Sequence, residues 1–172
     1  MSHSINRVTD KRHRIAVIDG PNMSNLGARS KKVYGAIGSL DELKAFVVGF
    51  GSDLGVEVST FSSNYEGAIL EFIHESAERI DGYIINPAGL TTVGEAVRHA
   101  LEETTKPVVE VHFSNITSGA GGARGLGGGA IQSTLTHTAT GLCMGMRQYS
   151  YIGALTALVF SLDDQGFLGA QQ

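Results

Sequence analysis

The chain has 172 residues, 17% of them charged and 42% hydrophobic, and a net charge of −4. That length suits one core, and the balance excludes both a charge-rich disordered chain and a basic nucleic-acid binder. Apolar runs are short and interrupted by Gly, Ser or Asp, and Met1–Arg7 holds no apolar stretch, so a soluble cytoplasmic protein without membrane contact is expected. The single cysteine, Cys143, forms no internal disulfide and reads as an inert core thiol, and no CxxC or histidine cluster suggests a metal.

In chain order, a flexible segment over 1–12 precedes one domain over 13–165 and a tail over 166–172. Arg14–Asp19 reads as a buried strand, followed by the loop Gly20-Pro21-Asn22. Ser39-Leu40-Asp41-Glu42 is a capping box that opens a helix ending near Leu54 at Gly55. Val56–Phe61 alternates as a second strand. Tyr65–Arg79 is a helix with Ile69, Phe72, Ile73 and Ala77 on one face. Tyr83–Pro87 is a third strand and its exit. Thr92-Val93-Gly94-Glu95 reads as another capping box, with Val93, Ala96, Val97, Ala100 and Leu101 at helical spacing behind it. Val108–His112 is a fourth strand, Gly141–Met146 a fifth, and Tyr149–Phe160 a closing helix.

Strands alternating with helices through short connections predict right-handed crossovers and a parallel sheet covered on both faces, a flavodoxin-like three-layer sandwich with five strands. Ligands of such sheets sit beyond the carboxyl ends of the strands, where this chain carries Asn22, Asn64, Asn86 and His112. The loop leaving the first strand also carries Arg29 and Tyr34. A tyrosine acts as a base near neutral pH only with a fixed cation beside it, which an arginine on the same loop can supply. Glu110 lies two residues before His112 on one strand, hence on the same face, where it can orient or charge the imidazole. Each residue has a plainer alternative: a strand-end histidine can be structural, and Asn beside Pro can simply close a turn.

In these features the chain resembles the type II 3-dehydroquinate dehydratases across about Ile15 to Leu158. The resemblance is carried by Gly20-Pro21-Asn22, Leu26-Gly27 with Arg29 and Tyr34-Gly35, Ser63-Asn64 with Glu66-Gly67, Ile85-Asn86-Pro87, Glu110-Val111-His112 with Ser114-Asn115, and Ala139-Thr140-Gly141. It implies a lyase of the shikimate or quinate pathway that removes water from a cyclic hydroxy-keto acid through an enolate, with no cofactor or metal. It also implies trimers assembled into a dodecamer. In that resemblance Tyr34 is the base, Arg29 stabilises its phenolate, and Asn22 holds a water or hydrogen bond at the enolate oxygen. His112 is the acid supported by Glu110, and Asn86, Phe113 and Ser114 hold substrate hydroxyl and carboxylate.

Departures from the family pattern gather on one side. Thr91-Thr92 stands where the family has Thr-His, Arg98-His99 where it commonly has Arg-Asp, and Tyr65 where it usually has His. Seven glycines between 119 and 129 surround Arg124, the one guanidinium of a lid that carries two in the family. Thr92, His99 and Arg124 are therefore candidate substrate contacts at the distal hydroxyls, and His137 could compensate for losses there. The glycine run lacks the Gly-Lys-Ser/Thr ending of a P-loop. Two other readings follow: a related enolate-forming lyase acting on a different cyclic hydroxy ketone, and a catalytically silent relative.

Overall fold

A computed structural model describes residues 7–29, 31, 35–118, 131–164 and 166–167. Tyr34, Arg124 and all but the first residue of the run Ser118–Ala130 lie outside the described residues. Five strands form one parallel sheet: β1 (Arg14–Asp19), β2 (Glu57–Ser62), β3 (Gly82–Asn86), β4 (Val108–His112) and β5 (Gly141–Met144). Their spatial order, β2-β1-β3-β4-β5, is the flavodoxin-like order, with its switch point between β1 and β3.

Alternation along β1 divides the core. Ile15 and Val17 point to one face, where they meet α1 (Leu40–Asp53) through Leu43 and Val47 and α4 (Tyr149–Asp163) through Tyr151, Leu155 and Leu158. Ala16 and Ile18 point to the other, against Ile69 and Ile73 of α2 (Glu66–Ser76) and Val97 and Leu101 of α3 (Glu95–Glu103). The inner strands β1, β3 and β4 are thus buried on both faces, whereas the edge strands β2 and β5 are only part-buried.

Local chemistry fixes both ends of α1. Ser39 Oγ accepts from the Glu42 N–H at 3.0 Å, while Glu42 Oε2 reaches back to the N–H of Gly38, one residue beyond the usual box partner, at 2.6 Å. Gly55, at φ +74°, stops α1. Phe72 stacks on Phe61 with centroids 4.4 Å apart, while His74 stays exposed.

The capping box expected at Thr92 does not form. Ala88, at φ +49°, starts a 3-10 turn over Ala88–Leu90, and the Leu90 carbonyl then takes the N–H groups of both Val93 and Gly94. That extra turn delays α3 to Glu95, leaves Gly94 as a cap without a side chain, and turns Val93 out to 63% exposure. Strand β5 ends two residues earlier than expected, because Gly145 turns at φ +91° and sends its N–H to the His112 carbonyl. Cys143 is only part-buried on β5, where desolvation pushes its thiol up.

Candidate active site

The loops leaving β1 and β3 cross at van der Waals distance. The Gly20 N–H donates to the Asn86 carbonyl at 2.8 Å and the Gly89 N–H to the Pro21 carbonyl at 3.0 Å. A Cβ on Gly20 would strike the Pro87 carbonyl oxygen, so only glycine lets the two exits approach this closely. Asn22 sits in the left-handed region at φ 78°, its N–H held by Asn64 Oδ1 at 2.8 Å, with no side-chain bond to the 3-10 turn Met23–Ala28 that it caps. Ser24 fixes the Asn64 amide from the other side at 3.1 Å. Arg29 closes that turn through its N–H to Leu26, and its side chain is half-buried.

The far end of this loop, Gly35, turns at φ +82° and lies against Arg147, where a Cβ would come 3.0 Å from Arg147 Cδ. Arg147, itself at φ +55°, donates its N–H to the Phe113 carbonyl at 2.9 Å. One end of the Arg29 loop is thereby tied to the exits of β4 and β5.

On the α2/α3 face of the sheet, β4 presents Glu110 and His112. Glu110 is completely buried, and His112 Nε2 meets its Oε1 at 2.7 Å while Thr136 Oγ1 meets Oε2 at 2.6 Å. Burial works to raise the Glu110 pKa, but hydrogen bonds from His112, Ser133 and Thr136 outweigh it and hold the carboxyl below its usual range. An ionised Glu110 only accepts, so the facing Nε2 carries hydrogen and any proton His112 passes on leaves from Nδ1.

Asn86 approaches the same sheet end from the opposite face, where it is 4% exposed. Its Nδ2 donates to Tyr151 Oη at 2.8 Å and to Met23 Sδ at 3.3 Å, and its Oδ1 accepts from the Ala88 N–H at 3.2 Å. Phe113 turns its ring into the core, edge-on to Tyr151 at 5.7 Å, and offers the site only backbone, while Ser114 is half-buried beside it. Thr92 is exposed, and the buried Thr91 hydroxyl is spent on the Ala88 carbonyl at 2.7 Å. His99 is exposed on α3, 2.7 Å from Arg98, which also bonds Glu95 and Glu102. The exposed His137 lies close enough to Glu95 to help, behind Arg98 and His99, to lower its pKa. Nothing among these contacts brings His99 or Thr92 to His112.

Sequence reasoning passed over Asp19, Tyr151, Ser133 and Thr136. Tyr151 sits in an apolar helix and Asp19 at the end of an apolar strand, while Ser133 and Thr136 fall in a stretch without periodicity. Of these, only Asp19, a charge closing a buried run, gave a signal.

A parallel sheet between two helical layers, with polar loops gathered at its switch point, defines an α/β protein of the class whose ligands bind beyond the carboxyl ends of the strands. Comparison with known proteins is more specific. The family described as Dehydroquinase class II matches residues 13–159. A 3-dehydroquinate dehydratase of Halothermothrix orenii is 39% identical over 86% of this chain and 94% of its own length. One of Clostridium acetobutylicum is 35% identical over 84% of this chain and 95% of its own. The crystal structure of the type II dehydroquinase of Butyrivibrio crossotus superposes with a TM-score of 0.76 at 30% identity, covering 86% of this chain and 97% of that one. The chain belongs to the class II dehydroquinase family.

Proposed function

We propose that this protein is a hydro-lyase that converts 3-dehydroquinate to 3-dehydroshikimate by trans elimination through an enolate. The observation that carries the chemistry is the buried Glu110–His112 pair at the exit of β4, an ionised carboxylate 2.7 Å from an imidazole at the mouth of the sheet. Family membership supplies the substrate.

In this reading the Tyr34 phenolate, favoured by the Arg29 guanidinium, removes the proton from the carbon beside the ketone, and the electron pair is held as an enolate. A water or direct hydrogen bond from Asn22 faces the enolate oxygen, where one preorganised donor is worth about 3 to 4 kcal/mol. The enolate then collapses, a C=C bond forms, the C–O bond on the β-carbon breaks, and the departing hydroxide takes the Nδ1 proton of His112 to leave as water. Glu110 stabilises the imidazolium before transfer. The ketone itself acidifies the proton, so the sequence needs no cofactor, and activity surviving exhaustive chelation is expected. Asn86, the Phe113–Ser114 backbone and Arg124 bind the ring hydroxyls and carboxylate, with Thr92 and His99 at the distal side, and copies of the chain assemble as trimers into a dodecamer in the cytoplasm.

The residue swaps at Thr92 and His99, with His99 engaged by Arg98, favour one second reading: the same elimination on a cyclic hydroxy ketone with different distal groups. The variants Tyr34→Phe and His112→Ala separate the steps. Each lowers formation of the conjugated enone by about 10²-fold or more, and only Tyr34→Phe also loses exchange of the substrate's α-proton with deuterated solvent. Enone formation unchanged in both variants would overturn the assignment. Turnover of a different cyclic hydroxy ketone in preference to 3-dehydroquinate would favour the second reading.

A further inference from the structure

Beneath the crossing loops, on the α1/α4 face, lies a buried chain of three polar groups, of which the elimination reading uses only Asn86 and assigns no part to Asp19 or Tyr151. Tyr151 donates its O–H to Asp19 Oδ1 at 2.5 Å, and Asn86 Nδ2 donates to Tyr151 Oη at 2.8 Å. Asp19 is 1% exposed, Tyr151 fully buried and Asn86 4% exposed, and Asp19 and Asn86 face each other in the β1–β3 register. We infer that Asp19 is a positioning residue of the site: through Tyr151 it fixes the orientation of the Asn86 carboxamide, so that Asn86 meets substrate as a hydrogen-bond acceptor for a hydroxyl group. The inference rests on the elimination reading above.

The proton inventory forces the direction. An ionised carboxylate only accepts, so the Tyr151 hydrogen points to Asp19 and the phenol oxygen is left to accept from Asn86 Nδ2. Met23 Sδ takes the second Nδ2 hydrogen. Oδ1 therefore faces the Ala88 N–H, and among the described residues its remaining lone pair is the one capacity of Asn86 left unused. That lone pair suits a ring hydroxyl and repels a carboxylate. Without charge on Asp19 the relay can run in reverse: a protonated Asp19 donates to Tyr151, whose hydrogen then turns on Asn86 and favours the flipped amide, with Nδ2 against the Ala88 N–H.

The groups around Asp19 set where that switch falls. Burial raises its pKa to about 6, against the opposing pull of the Tyr151 hydrogen bond and the Lys44 charge from α1. Tyr151 is pushed well above 10, first by burial, and so stays a neutral donor. Among the described residues, β2 contributes the neutral Ser62, which holds Lys44 Nζ at 2.9 Å, and β3 the neutral Asn86. Glu110 and His112 occupy the other face of the sheet.

The test compares wild type and Asp19→Asn from pH 4.5 to 8, using kcat/KM for 3-dehydroquinate and the side-chain NH₂ resonances of Asn86, assigned by their loss in Asn86→Asp. In wild type these resonances move with a midpoint near pH 6 and kcat/KM carries an acid limb at that midpoint. In Asp19→Asn, where the neutral amide permits either polarity, both features vanish and the alkaline kcat/KM falls about two- to tenfold, in proportion to the lost competent orientation. Tyr151→Phe, which cuts the relay, likewise leaves the Asn86 resonances blind to pH. Resonances that titrate identically in wild type and Asp19→Asn would overturn the inference. Turnover lost in wild type with the resonance behaviour intact would instead fault the elimination reading.

Discussion

Glu110 shows how one residue's environment decides its use. A carboxylate with no exposure is costly unless every oxygen is paired, and here His112 and Thr136 take one oxygen each. Glu110→Gln keeps the shape but removes the charge that would stabilise an imidazolium. Its kcat is expected to fall about 10²-fold with KM within about threefold, and equal losses in both parameters, measured by initial rates, would contradict that role. The Glu110–His112 pairing was legible because residues two apart share a strand face. The partners completing the site were not: Thr136 arrives from a segment without periodicity, and Tyr151 is disguised by the apolar helix around it. Phe113 and Asn86 were recognised as positions, but their side chains turn to the core and to Tyr151, which only packing reveals.

At the scale of elements, glycine and backbone bonds hold the site's two loops together. Gly20→Ala forces the loop after β1 away from the Pro87 carbonyl and should destabilise the fold by about 2 kcal/mol or more while reducing turnover. A variant with wild-type melting temperature and rate would show that the close crossing is dispensable. The opposite end of the sheet has its own clamp: Arg7, Thr9 and His13 converge on Asp163 of α4 at 2.7, 3.0 and 2.8 Å. The inner strands β1, β3 and β4 were legible as short, mostly apolar runs buried on both faces, the edge strand β2 by its alternation, and α1 because its cap is local. The start of α3 was not, since the turn set by Ala88 consumes the backbone donors that Thr92 was expected to cap.

For the whole molecule, two buried carboxyls predict opposite pH trends. Hydrogen bonds from Arg7, ahead of the opposing burial, hold Asp163 down at about 2 against its ordinary 3.8, so the unfolded chain binds the extra proton and stability falls as pH drops from about 4 to 2. Asp19, raised to about 6 from 3.8, keeps its proton in the folded state, so its contribution falls as pH rises from about 4 to 6. Urea midpoints across pH 2 to 7 should lose the first trend in Asp163→Asn and the second in Asp19→Asn. Trends unchanged by either substitution would contradict the assignments.

The fold class was legible from strand and helix alternation, whereas assembly was not, because exposed apolar groups such as Met146, Tyr149 and Leu142 show which faces are sticky without counting copies. Light scattering should give roughly 220 kDa if twelve chains of 18.1 kDa assemble, and a mass of one chain would refute the proposed dodecamer.

The proposed elimination of water from 3-dehydroquinate at this sheet end is tested by the ultraviolet absorbance of the conjugated enone formed by the full chain. Turnover of about 1 to 10³ per second is expected, reduced at least about 10²-fold by His112→Ala. A folded protein that forms no enone, or one whose enone formation ignores His112, would contradict it.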